Sequence, residues 1–129
     1  MKRQPKWLLP LAVLAAHEQA LAEFGGAAGV RDPSLLESAL ARPRHLWHYG
    51  KPDLFDLAAA YARGIASNHP FADGNKRTVF LAAFMFLDIN GHELRASEAE
   101  AVVMTLGLAS RRVGQDEYAN WLRTNSADQ

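Results

Sequence analysis

Residues His69-Pro70-Phe71-Ala72-Asp73-Gly74-Asn75-Lys76-Arg77-Thr78 bring one imidazole, one carboxylate, one glycine, one amide side chain and two adjacent cations into ten consecutive positions. Phosphate transfer needs those groups. Imidazole ordinarily titrates near ~6.5, so a neutral His69 is suited to take a proton from a hydroxyl nucleophile near neutral pH. Asp73 offers a hard oxygen ligand of the kind that holds Mg2+ together with nucleotide phosphates. Gly74 permits a backbone turn that other residues resist, and an apolar helical run follows from Asn75. The first amides of such a helix have no partner inside it and face outward. With the positive end of the helix dipole they form an anion site, strengthened by Lys76 and Arg77, where a polyphosphate fits.

Each of these residues also has a plainer explanation. Asp73-Gly74-Asn75 alone is a common turn with a helix cap, and Lys76-Arg77 alone is a solvated helix start. Function is indicated by their conjunction in front of a strongly apolar helix. The remaining histidines, His17, His45, His48 and His92, lack such converging groups and are read as structural or solvated. His45 and His48 can share a helix face, but no third zinc ligand accompanies them. Phe71 is expected to point into the core and anchor the loop.

The elements that must position this loop follow from hydrophobic spacing and capping residues. Pro10 opens a helix with the stripe Leu11, Leu14, Glu18 methylenes and Leu21, ending at Phe24-Gly25-Gly26. Asp32-Pro33 caps a second helix that runs through Leu35, Leu36, Ala39 and Leu40 to Pro43. A third starts at Asp53 with Leu54, Leu57, Ala58, Tyr61 and Ile65. The fourth, from Asn75 to about Asp88, is apolar on all sides and is expected to be the buried central helix. Ser97 with Glu100 forms a capping box for a fifth, and a sixth covers Asp116 to Thr124 with Tyr118, Trp121 and Leu122 inward. Between the second and third helices, Arg44 to Lys51 reads as a short exposed hairpin or an irregular flap.

The expected architecture is therefore all-α, a compact six-helix bundle with a flap, in one domain over residues 1–129. Apolar residues make up 49% and charged residues 22% of the 129, which is the composition of a folded domain. The 14 basic residues balance the 14 acidic ones, so nothing favours direct DNA binding, which needs a basic surplus on one face. Absence of cysteine excludes disulfides, thiolate catalysis and cysteine-bound zinc, and fits a reducing cytoplasm. The basic start, Met1 to Lys6, reads as a helix entrance and not a signal peptide. No uncharged apolar run reaches the ~18 residues a membrane span needs.

The segment from His69 to Thr78 resembles the signature of the Fic-domain superfamily, whose commoner form is H-P-F-x-D/E-G-N-G-R-x-x-R. His69, Pro70, Phe71, Asp73, Gly74, Asn75 and Arg77 match it. Lys76 stands where that form has its second glycine, and Phe80 where it has its last arginine. The N-K-R-T form is similar to the death-on-curing (Doc) branch, toxins of small type II toxin–antitoxin modules. His17-Glu18, Phe24-Gly25-Gly26, Arg31-Asp32-Pro33, Leu36-Glu37-Ser38-Ala39-Leu40, Asp53-Leu54-Phe55, Phe86-Leu87 and Asn90-Gly91 agree with that branch.

The resemblance implies a six-helix fold and transfer of part of a nucleotide to a protein hydroxyl. In the commoner branch that part is AMP. In the Doc branch the nucleotide is reversed, the γ-phosphate of ATP faces the acceptor, and a threonine of elongation factor Tu is the known target, whose phosphorylation stops translation. By the same resemblance His69 is the base, Asp73 the Mg2+ ligand, and Gly74, Asn75, Lys76 and Arg77 the phosphate-binding group. Leu46 to Lys51 resembles the flap that holds a target peptide by strand addition, though Trp47 and Tyr49 equally suit packing. The family's self-inhibitory serine–glutamate motif has no copy, because Ser34 to Glu37 and Ser97 to Glu100 have the wrong spacing. An antitoxin with a disordered tail that folds on this surface, offering an acidic side chain to Lys76 or Arg77, is therefore expected. AMP transfer and a catalytically silent binding module are the alternatives.

Overall fold

The computed structural model describes residues 3–129; Met1 and Lys2 of the basic start lie outside the described residues. Its helices are α1 (Pro10–Phe24), α2 (Pro33–Tyr49), α3 (Leu54–Asn68), α4 (Asn75–Ile89), α5 (Glu98–Ala109) and α6 (Gln115–Thr124). Two three-residue strands, β1 (His92–Leu94) and β2 (Ser126–Asp128), pair antiparallel with Glu93 opposite Ala127. The architecture is the expected all-α bundle.

Local chemistry sets most helix ends. Pro10 and Pro33 occupy first turns, where a missing N–H costs no helical bond. Asp32 caps α2 through Ser34 N at 2.9 Å. Asp53 and Asp56 form a reciprocal capping box on α3, and Ser97 with Glu100 does the same for α5. Arg123 of α6 reaches both acids of the α3 cap, at 2.8 Å from Asp53 and 3.3 Å from Asp56. The start of the helix that leads into the candidate loop is thus tied to the end of the chain's last helix.

The buried central helix is α3 and not α4. It packs against α2, α4, α5 and α6, and nearly every residue from Leu57 to Ala66 is buried. Small residues make this arrangement possible: Ala58, Ala59, Ala60, Ala62, Gly64 and Ala66 let neighbouring backbones approach, while Leu57, Tyr61 and Ile65 fill the gaps. Complete burial of a Leu or Ile side chain contributes about 1.5–3 kcal/mol. On α4, Val79, Ala82, Ala83, Phe86 and Leu87 face α3, but Phe80, Leu81, Phe84 and Met85 are only half-buried. Uniform apolarity in α4 reflects two different faces, one in the core and one bordering an open groove.

Two further expectations change. The segment Arg44 to Tyr49 is no hairpin or flap; it forms the last turns of α2, and the irregular stretch shrinks to the few residues around Gly50 and Pro52 before Asp53. Pro43 does not stop the helix because its ring is buried and Leu46 and Trp47 beyond it pack on the core, Trp47 edge-on to Trp7. That packing outweighs the one helical bond Pro43 forfeits. On α1 the inward side chains are Val13, His17 and Ala20, with Leu14 and Leu21 beside them, whereas Leu11 is exposed. The rotation turns His17 into the fold.

Candidate active site

Residues 69–74 bridge the end of α3 and the start of α4. His69 is the C-cap of α3, in the left-handed region at φ 47 and ψ 58. Histidine tolerates that region better than most side chains, but it still carries strain that the surroundings must hold. Arg31 supplies the restraint: its Nε donates to His69 O and its Nη2 to Asn68 O, both at 2.9 Å. A cation on the last carbonyls also suits the negative end of the α3 dipole. The His69 ring itself is exposed and has no hydrogen bond among the described residues.

A two-sided clamp fixes the middle of the loop. Val30 and Phe71 form an isolated antiparallel bridge, in which Arg31 N donates to Pro70 O at 2.7 Å and Ala72 N to Gly29 O at 3.1 Å. On the other side the Asn75 side chain takes both backbone groups of Phe71, accepting from its N at 3.0 Å and donating to its O at 2.9 Å. Phe71 is fully buried as expected, and its ring stacks on His17 with centroids 3.7 Å apart. The loop is therefore pinned through a backbone that side-chain spacing alone does not reveal.

Gly74 starts α4 in the left-handed conformation, φ 79. A Cβ there would meet Leu21 at 3.3 Å and His17 at 3.4 Å, so both conformation and space select glycine. The first amide of α4 to reach a backbone acceptor is that of Thr78, which donates to Gly74 O at 3.1 Å. The amides before it, from Asn75 to Arg77, have no helical acceptor, the chemistry that suits a helix start to an anion. Lys76 is exposed and forms no ion pair among the described residues. The Arg77 guanidinium carbon sits over the Phe24 ring, 3.7 Å from its centroid. This contact is a cation–π one, and the guanidinium N–H groups make no hydrogen bond or ion pair among the described residues.

Asp73 is exposed, with Oδ1 accepting from Gly74 N at 2.8 Å and Oδ2 from Ala27 N at 3.3 Å. A carboxylate has about four acceptor positions, so two remain. No group of three or more acidic, histidine or cysteine side chains able to cage a metal occurs among the described residues. One outward carboxylate fits a Mg2+ ion that arrives on a nucleotide and takes its other ligands from phosphate and water. His45 and His48 are exposed on α2.

The structure thus joins His69, Asp73, Gly74, Asn75, Lys76 and Arg77 in one loop-to-helix turn. Sequence reasoning missed His17, Ala27 and Arg31, which hold that turn from α1 and the segment after it. Their only sequence signal is that His17-Glu18 and Arg31-Asp32-Pro33 fit the Doc-branch pattern.

Residues 7–87 match the profile of the Fic/DOC family. The chain belongs to the Fic/DOC family. A curated relative named "Toxin Doc", from Mycolicibacterium smegmatis, is 50% identical over 76 residues, which are 57% of this chain and 58% of that protein. The chain therefore spans little more than half the length of that relative. "Protein kinase doc" of Escherichia phage P1 is 32% identical over 115 residues, 88% of this chain and 90% of its own length. The Fic/DOC match ends at Leu87, within α4. It therefore includes the whole clamp, from His17 to Arg77.

Proposed function

We propose that this Fic/DOC chain is a protein kinase toxin that moves the γ-phosphate of ATP to a protein hydroxyl, with a threonine of elongation factor Tu as acceptor, and so arrests translation in the cytoplasm. The observation that carries the reading is Lys76 at the open first turn of α4. A glycine there leaves room for phosphates inside the turn, as AMP transfer requires. Lysine adds bulk and charge at that place and favours the reversed nucleotide. The name of the phage P1 relative, which aligns with 88% of this chain, supports the same choice.

In this reaction a ring nitrogen of His69 takes the proton of the acceptor hydroxyl as its oxygen attacks the γ-phosphorus. The bond from that phosphorus to the β,γ-bridging oxygen breaks, and ADP leaves with the electron pair. His69 then releases its proton to solvent. The outward amides of Asn75 to Arg77, the Lys76 ammonium and the edge of Arg77 bind the phosphate oxygens. Asp73 would hold Mg2+, which when bound neutralises charge on the phosphates.

The toxin reading entails an antitoxin, and the groove beside the loop suits one. Phe80, Phe84, Val102 and Leu106 line an open groove of about 490 Å3 between α4 and α5, which Lys76 and Arg77 also line. An amphipathic tail that orders on binding would bury its apolar face there and place a carboxylate near the two cations.

Incubation of the protein with purified elongation factor Tu and ATP labelled separately at the α- and γ-phosphates tests the reading. Label from γ on the factor is the expected result. Label from α makes the chain an AMP transferase, and no label from either makes it a binding module.

A further inference from the structure

His17 is a buried histidine that the proposed reaction does not use. It sits in the middle of α1, 4% exposed, with its ring nearly parallel to Phe71 at an angle of 10°. Its Nε2 lies 2.7 Å from the backbone oxygen of Asp73. A carbonyl oxygen only accepts, so Nε2 carries the hydrogen. The bond is at the short end of the N–H···O range.

That bond completes the immobilisation of one residue. Both carboxylate oxygens of Asp73 accept backbone amides, from Gly74 and Ala27, and its carbonyl accepts from His17. Space is equally tight: a Cβ on Gly26 would lie 2.9 Å from Asp73 Oδ2. A histidine serving only to fill the core would not need its polar edge aimed at this carbonyl, and a leucine would fill the same space without it.

We propose that His17 is a positioning residue for Asp73: by holding the Asp73 carbonyl it sets the direction in which the carboxylate offers its two free acceptor positions to a divalent cation bound with ATP. This rests on the reading of Asp73 as the metal ligand. Groups that orient a metal ligand without touching the metal typically change metal affinity about 10- to 100-fold when removed. The effect belongs to cation binding, not to proton transfer at His69.

The test is Mn2+ binding, followed by the electron paramagnetic resonance signal of the free ion, in the presence of a non-hydrolysable ATP analogue. His17→Leu keeps the packing and removes the donor, and should weaken Mn2+ binding at least about 10-fold. His17→Gln carries an N–H as many bonds from Cα as Nε2 and should restore binding. Unchanged Mn2+ affinity in His17→Leu overturns the proposal, as does equal loss in the Leu and Gln variants, which would assign the effect to packing. Should His17→Leu fail to fold, His17→Asn, whose amide falls one bond short, takes its place with the same expectation. Asp73→Asn separates the two layers: if it binds Mn2+ like the natural protein, the metal-ligand reading fails and the proposal with it. If it loses binding while His17→Leu does not, only the role of His17 fails.

Discussion

Gly64 of α3 lies directly against Ala39 of α2, so close that a Cβ on Gly64 would stand 2.9 Å from the Ala39 oxygen and 3.0 Å from its Cα. The oxygen concerned is the one that Pro43, four residues on in α2, cannot serve with an N–H. A helical glycine and an internal helical proline, each unfavourable alone, therefore meet at one contact. In an exposed helix Gly→Ala stabilises by about 1 kcal/mol, but the added methyl here collides with backbone, which cannot swing away. We expect Gly64→Ala to destabilise by about 1–3 kcal/mol, read as a lower urea midpoint. A midpoint equal to or above that of the natural protein would show that the helices can separate cheaply.

His69→Ala should lower phosphate transfer by about 100- to 10,000-fold, the usual contribution of a positioned base. The exposed ring adds little packing, so the melting temperature should stay close to that of the natural protein. Undiminished growth arrest by this variant would falsify the base assignment.

Lys76→Gly recreates the glycine of the commoner Fic signature. Loss of a charged hydrogen bond to phosphate is worth about 1.5–3 kcal/mol, so γ-phosphate transfer should fall at least about tenfold by the usual conversion. Initial rates with γ-labelled and α-labelled ATP report it. An unaltered donor position and rate would remove Lys76 from the mechanism.

Acid should loosen the start of α3. Burial works against the charge of Asp53, but the Asp56 amide and Arg123 outweigh it and hold the carboxyl below its ordinary value. A depressed folded-state value means that the contribution is complete above the unfolded value of about 3.9 and is lost as pH falls through the lower folded one. Asp53→Asn keeps a good cap without the charge. Urea midpoints measured from pH 5 downward should fall more steeply for the natural protein than for Asp53→Asn. Parallel curves would mean that the Arg123 pair contributes nothing to pH dependence.

Helix starts were legible because they depend on neighbours in sequence: Asp32-Pro33, Asp53 and Ser97 with Glu100 all cap where their side chains reach nearby amides. Ends were harder. Pro43 reads as a stop, and only the burial of the residues around Trp47 overrides it. The centrality of α3 over α4 was likewise hidden, since large apolar side chains such as Phe80 and Phe84 surround α4 on all sides, whereas the small side chains of α3 admit more neighbours. In the candidate site the sequence placed His69 to Arg77 in one loop that runs into a helix start, and the structure has them there. The contacts of His17 with Asp73 and of Arg31 with His69 span 56 and 38 positions, so no local pattern encodes them.

The left-handed backbone at His69 also limits what mutation can do at this position. Asparagine, aspartate and glycine would relieve the backbone, but none offers an imidazole; β-branched residues would clash before chemistry was tested at all. Position 69 is filtered twice, once by conformation and once by proton affinity, and histidine passes both. On the proposed toxin reading, variants selected for survival of the host should therefore accumulate here as inactive yet folded chains, sparing the groove proposed for an antitoxin tail.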